Sequence, residues 1–179
     1  MKTVDEMIKN VLVREGGFVD HPADKGGPTN YGITQKTLSS YYGRAATTAE
    51  VRALDVDVAE EIYKRDYFFG PRIDSMPEAI QAFLFDSAVN HGPRTAIKFV
   101  QRVCNQAGYE PGLSEDGAVG PNTRRGAEWA EREMGEFFLK ALIEERKNFY
   151  LAIVAASPSQ KVFLNGWMNR VKEFEEELA

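Results

Sequence analysis

The chain has 179 residues, 43% of them hydrophobic and 27% charged, which suits a folded domain with a proper core and excludes wholesale disorder. Its net charge is -5 and its isoelectric point lies near 5.2. The Lys and Arg residues form no basic run, which argues against nucleic acid as the main partner. A single cysteine, Cys104, permits no internal disulfide, and with only His21 and His91 as histidines no usual zinc cluster is available, so neither metal nor cofactor is expected.

The N-terminus, Met1-Lys2-Thr3-Val4-Asp5-Glu6, has no uninterrupted apolar run. The expectation is a chain made in the cytoplasm without a signal peptide and without a membrane span. Thr3 with Glu6 forms a capping-box signature, and Val4, Met7, Ile8, Val11 and Leu12 then follow helical spacing. Gly16-Gly17 should end that helix, which puts Glu15 in its last turn, on or beside the apolar face. Desolvation and the negative end of the helix dipole both oppose a charged carboxylate there. A carboxylic acid kept protonated near neutral pH is what general-acid chemistry requires.

The stretch from Glu15 to Thr34 carries five glycines and two prolines, residues of turns and close backbone approach. It is the one place where a small β-hairpin fits, around Gly17–Val19 and Tyr31–Ile33. Thr34 can cap a short helix closed by Gly43, and Thr48 opens another turn. Asp57 with Glu60 reads as a capping box for a helix running toward Phe68, broken by Gly70-Pro71. Ser75, Pro77 and Glu78 supply the next helix start. Ile80, Phe83, Leu84, Ser87, Ala88 and His91 then share a face up to Gly92-Pro93, and a further helix carries Ile97, Val100 and Cys104 inward. Gly108 to Pro121 reads as a loop. Helix resumes near Asn122, and Met134, Phe137, Phe138, Ala141, Leu142, Phe149, Ala152 and Ile153 align as one long periodic segment. After Ser157-Pro158 a last helix holds Phe163, Leu164, Trp167, Met168 and Val171, and Glu173–Glu177 reads as a solvated tail. The fold class is mainly α, with at most a small hairpin.

Glu15 and Asp24 with Thr29 make a pattern suited to glycoside hydrolysis: one acid to protonate the leaving oxygen, one carboxylate to stabilise the transition state or activate water, a hydroxyl to hold that water. The same residues also read as an ordinary polar turn, or as a small metal site from Asp20, His21 and Asp24, although His21 before Pro22 suits a turn better.

A resemblance bears on the choice. Glu15-Gly-Gly-Phe, His21-Pro22-Ala23-Asp24-Lys-Gly-Gly and Thr29-Asn30-Tyr31-Gly32-Ile33-Thr34 resemble the signature of the glycoside hydrolase family 108 muramidases. Tyr63-Lys-Arg-Asp-Tyr67-Phe68, Phe85-Asp86-Ser-Ala-Val-Asn90-His-Gly92-Pro93, Asp116-Gly117-Ala-Val-Gly120-Pro121-Asn-Thr123, Arg146, Phe149-Tyr150 and Phe163-Leu-Asn-Gly166-Trp167-Met-Asn-Arg170 continue it along nearly the whole chain. The resemblance implies a lysozyme-like, mainly helical fold, with a catalytic lobe over residues 1–92 and a peptidoglycan-binding-type helical region over 93–179. It implies cleavage of the β-1,4 bond between N-acetylmuramic acid and N-acetylglucosamine, with Glu15 as acid, Asp24 and Thr29 beside it, and Asn30, Tyr31 and Asn90 lining the glycan cleft. The Asp24-to-Thr29 gap is one residue shorter than in the wider lysozyme superfamily, with Thr34 as a distant substitute for Thr29. Bacterial peptidoglycan is the implied partner, reached as a phage endolysin through a holin-type pore. Asp86 reads as a structural partner of Asn90, and Tyr63, Tyr67, Trp167 and Arg146 as core packing. The other readings are a lytic transglycosylase, which needs a Glu but no activated water, and a non-catalytic module of the cell wall or of secretion.

Overall fold

A computed structural model describes residues 2–21 and 27–178. The chain is mainly α, with one two-stranded antiparallel hairpin among the described residues. It divides into two compact units, Lys2–Gly70 and Pro71 to the C-terminal end. No helix among the described residues is long and apolar enough to cross a membrane.

In the first unit, α1 (Val4–Glu15) begins at the expected capping box, with the Thr3 hydroxyl and the Glu6 carboxylate each satisfying the other's backbone N–H. Met7, Ile8, Val11 and Leu12 are its buried face. Two short strands follow, β1 (Thr29–Asn30) and β2 (Ile33–Thr34), then α2 (Gln35–Tyr42), capped by Thr34 and closed by Gly43 in the left-handed region. The next helix, α3 (Thr48–Arg52), starts at Thr48 as expected and is capped by Thr47 in a box with Glu50. The start of α4 (Val56–Lys64) differs from expectation. Asp55 caps it by accepting the Asp57 N–H at 2.8 Å, so Asp57 lies in the first turn, where its charge favours the helix dipole. A π-helical segment, Arg65–Phe69, continues α4 and ends with the Gly70 N–H on the Arg65 carbonyl. A β-carbon on Gly70 would stand 2.5 Å from that carbonyl oxygen, so only glycine closes the segment this way.

The second unit opens with a 3-10 turn, Ile73–Ser75, and α5 (Glu78–His91). Ser75 belongs to the turn and donates to the Arg72 carbonyl, so it caps nothing; Pro77 precedes α5 instead. Residues 82–88 of α5 are buried on every side. Helices α6 (Pro93–Gln106), α7 (Pro121–Met134), α8 (Glu136–Ala156) and α9 (Lys161–Glu176) complete the unit, with a 3-10 turn at Pro158–Gln160. The long periodic segment expected through Met134 and Phe149 is two helices, because Gly135 at φ 54° breaks it and leaves Phe137 exposed. The expected acidic tail is part of α9: Phe174 is buried and Glu175 pairs with Lys147. The loop from 107 to 120 is fastened by Gln101, whose amide donates to Asp116, Ala118 and Thr123 and whose oxygen takes the Gly117 N–H.

A buried polar cluster sits in the middle of this unit. Asp86 pairs with Arg146 at 2.7 Å through one oxygen and with Arg170 at 2.7 Å through the other, and the Asp86 and Arg146 side chains are 2% and 0% exposed. Burial raises the Asp86 carboxyl, but the two guanidinium groups outweigh it and hold the acid below its ordinary value. The Arg146 Nε donates to the Tyr150 hydroxyl at 2.9 Å, and that hydroxyl lies 2.8 Å from His91 Nε2. A guanidinium can only donate, so the Tyr150 oxygen accepts from it, and the His91–Tyr150 hydrogen bond completes the cluster. Burial, with the Arg146 cation beside it, pushes His91 down to about 4. Among the described residues, Arg146 Nη2 is the one buried side-chain nitrogen or oxygen without a hydrogen bond, and its guanidinium lies 5.6 Å from the Phe83 ring centre.

Two outcomes follow. Asp86→Asn strands a buried Arg146 cation and should cost about 3–5 kcal/mol in urea denaturation. For His91 the folded value lies below the ordinary 6.5, so the stability it contributes is complete above that pH and is lost as the pH falls toward about 4. Melting temperature against pH should drop through that window in the parent and flatten there in His91→Gln.

Candidate active site

The site is built where α1 ends. Gly16, at φ 72°, turns the chain out of the helix while its N–H still closes on the Leu12 carbonyl. Its own carbonyl then accepts the Tyr31 N–H at 3.1 Å. Further out, Val19 and Thr29 exchange both backbone hydrogen bonds at 2.8 Å, a single antiparallel bridge beside the hairpin. The loop leaving Glu15 is thus zipped to the hairpin at two points, its turn and β1, and the hairpin lies at 29–34, with Val19 adding the bridge expected from the first arm.

Within the hairpin Asn30 pairs with Ile33 and Thr29 with Thr34. Cross-strand partners share a face. Asn30 and Ile33 form the buried one, while Thr29 and Thr34, on the other, are half-buried. The two-residue turn, Tyr31-Gly32, has φ of 51° and 74°, the sign that lets a tight turn follow the right-handed twist of its strands. Gly32 takes that conformation freely, whereas a tyrosine there is sterically costly. The Tyr31 backbone is secured on both sides. Its N–H is taken by Gly16, and its carbonyl accepts the Tyr63 hydroxyl at 2.8 Å.

Glu15 meets this turn directly. A β-carbon added to Gly32 would stand 3.1 Å from Glu15 Cγ, 3.1 Å from Glu15 Oε2 and 2.8 Å from the Tyr63 hydroxyl. Tyr63 comes from the buried face of α4 and lies 5.6 Å, ring centre to centre, from Tyr67 on the π segment. Both phenols are pushed up: Tyr63 by burial and then by the Glu15 charge, Tyr67 by burial, then Asp66, then Glu15. Glu15 therefore sits in electrostatic contact with both tyrosines.

The outer side of the loop is held by α3. Asn30 donates its amide to the Val51 and Arg52 carbonyls, each at 3.1 Å, and the Arg52 guanidinium lies 4.7 Å from the Phe18 ring centre.

Several sequence expectations are corrected here. Glu15 is exposed, as are Val13 and Arg14, because the final turn of α1 has left the packed part of the helix; its carboxyl is placed by the Gly32 turn and Tyr63, not by the apolar face. Asn30, expected to line a cleft, is 6% exposed with its amide donating to two backbone carbonyls, so it anchors the hairpin. Tyr31 is half-buried at the turn. Asn90 belongs to the other unit, where it is exposed at the end of α5 and donates to the Asp86 carbonyl at 2.6 Å and carboxylate at 3.3 Å. Asp24 lies outside the described residues. Thr29 is described, and its backbone joins Val19 to Thr34. Among the described residues no group of three His, Cys, Asp or Glu side chains could hold a metal ion. Tyr63, read as core packing, is buried as expected, and its hydroxyl reaches the Tyr31 carbonyl beside Glu15; its place on a helical apolar face gives no sign of where that hydroxyl goes.

Comparison with known proteins agrees with this architecture. Residues 8–92 match the model of the family described as glycosyl hydrolase 108, and residues 95–172 that of a predicted peptidoglycan domain. The solved structure of SagA from Brucella abortus is similar at 31% identity over 95% of this chain and 90% of that one, with a TM-score of 0.71. No curated protein sequence matches. The two family matches together define the class: a glycoside hydrolase associated with peptidoglycan. The chain belongs to the glycosyl hydrolase 108 family.

Gly32→Ala tests the geometry. A side chain at φ 74° is strained, and its methyl must displace the Tyr63 hydroxyl or the Glu15 carboxyl. The variant should lose about 1–2 kcal/mol in chemical denaturation, and most of its activity on peptidoglycan.

Proposed function

We propose that the protein is an N-acetylmuramidase, hydrolysing the β-1,4 bond between N-acetylmuramic acid and N-acetylglucosamine with Glu15 as general acid. The observation that carries the reading is the Glu15 carboxyl: exposed to an incoming chain, yet held against the Tyr31-Gly32 turn and the Tyr63 phenol. An acid that must protonate a glycosidic oxygen needs both access and a fixed direction. Asp24 is the carboxylate that activates or orients water, and Thr29, on the less buried face of the hairpin, helps to hold that water. With an Asp and a Thr on a water and no separate nucleophile, the stereochemical outcome is inversion. The two family matches support division of labour between a catalytic stretch up to about residue 92 and a peptidoglycan-associated region after it. The protein acts on the wall after release from the cytoplasm, as a phage endolysin does.

Mass spectrometry of digested peptidoglycan separates this from a lytic transglycosylase: free reducing N-acetylmuramic acid is expected, and 1,6-anhydro ends would overturn the hydrolytic reading. Glu15→Gln should lower turnover on the order of 100-fold or more, the weight of a lost general acid, with melting temperature equal to or above the parent's. Wall lysis by that variant at the parent's rate would remove Glu15 from the mechanism and leave a binding module as the better account. Asp24→Asn should lose most turnover while still binding glycan.

A further inference from the structure

We propose that Tyr63 is a positioning residue for the Glu15 acid: it spends its only hydroxyl proton on the Tyr31 carbonyl, which seats the hairpin turn beside the carboxyl and leaves the phenol oxygen nothing to donate to Glu15. The inference rests on the muramidase reading and extends it by assigning a residue of the other side of this unit to the poise of the acid.

Three observations meet at one point. The phenol oxygen and Glu15 Oε2 lie 2.8 Å and 3.1 Å from the place where a Gly32 β-carbon would stand, so the two oxygens flank the same small space. The hydroxyl donates to the Tyr31 carbonyl at 2.8 Å. A phenol has a single proton to give, so toward its remaining neighbours Tyr63 is an acceptor only. The Tyr31 carbonyl thus takes the phenol proton that would otherwise be free to turn toward the Glu15 carboxyl. The same bond holds Tyr31 in its left-handed conformation, and that conformation delivers the side-chain-free Gly32 to the gap. Turn, glycine and phenol act as one gauge that fixes how closely the backbone approaches Glu15. The charge on Glu15 raising the Tyr63 phenol is the electrostatic side of the same proximity.

The test is Tyr63→Phe, with two readouts. On peptidoglycan, with rates normalised to folded protein, kcat should fall on the order of ten-fold while KM stays within about two-fold, as expected when a group is misaimed and binding is not lost. A residue that merely packs would lower the melting temperature and leave the normalised kcat unchanged, and that result overturns the proposal. Independently of substrate, the Tyr31 amide should exchange with deuterium at least about ten-fold faster in Tyr63→Phe, because the turn loses one of its two ties. Unchanged protection at Tyr31 overturns the seating of the turn whatever the activity. A double-variant cycle adds a check: Gly32→Ala should cost less activity in the Tyr63→Phe background than alone, since removal of the hydroxyl relieves the 2.8 Å contact. Additive losses would mean that the two residues do not share the space. If the parent itself fails to cleave peptidoglycan, the muramidase reading falls, while the exchange measurement still decides whether Tyr63 holds the turn.

Discussion

A tyrosine held in the left-handed region governs the hairpin end of the first unit. Tyr31 gains nothing from that conformation by itself; the cost is offset by two hydrogen bonds to its backbone, one from each side. Everything near Glu15 hangs from that residue. Gly16 reaches it from the end of α1, Tyr63 reaches it from α4, and the turn it begins presents Gly32 to the acid. Asn30, one residue earlier, is locked to the end of α3 by its amide. A short hairpin is marginal in isolation. Here it is stable because helices on either side of it take up its backbone and side-chain polar groups.

The second unit is organised differently, around charge rather than backbone. Two arginines neutralise one buried aspartate from separate helices, and the network extends through Tyr150 to His91. Such a pair is weak evidence of net stability, because desolvation offsets most of its attraction. What it does is make α5, α8 and α9 mutually dependent: none of the three can shift without exposing or orphaning a charge. Trp167 stacks on Tyr150 at 5.1 Å between ring centres and 16° between planes, so the aromatic and ionic layers meet at the same residue.

How much of this is legible in the sequence follows from the range of each interaction. The Thr3 box, the Thr34 cap and the Gly43 stop all rest on residues within four positions of each other, and the structure has them where the pattern put them. A competing local signal shifts the start of α4: Asp55 and Asp57 are both good cap residues, and the structure uses the first. Periodicity carried across Gly135 because the apolar spacing continues through a break that only the backbone reveals. The acidic end of the chain looked solvated because Phe174 and Glu175 find their partners far away in sequence, as Lys147 illustrates. The place of Glu15 at the end of α1 is legible from capping and spacing, but its setting is not. The exposure of Glu15, the inward anchoring of Asn30 and the entry of Tyr63 depend on contacts between α1, the hairpin and α4 that no local pattern encodes.

The hydrogen-bond chain from Arg146 through Tyr150 to His91 has a further property. Chains of hydroxyls and imidazoles usually admit two proton orders, one the reverse of the other, and a protein can hold a mixture of both. Here the first member is a guanidinium with no lone pair to offer, so the first link runs one way only, from Arg146 to Tyr150. The second link follows the tautomer of the His91 imidazole. A change at the last turn of α5 therefore reaches α8 through the direction of one hydroxyl, while the Arg146 end of the chain stays fixed.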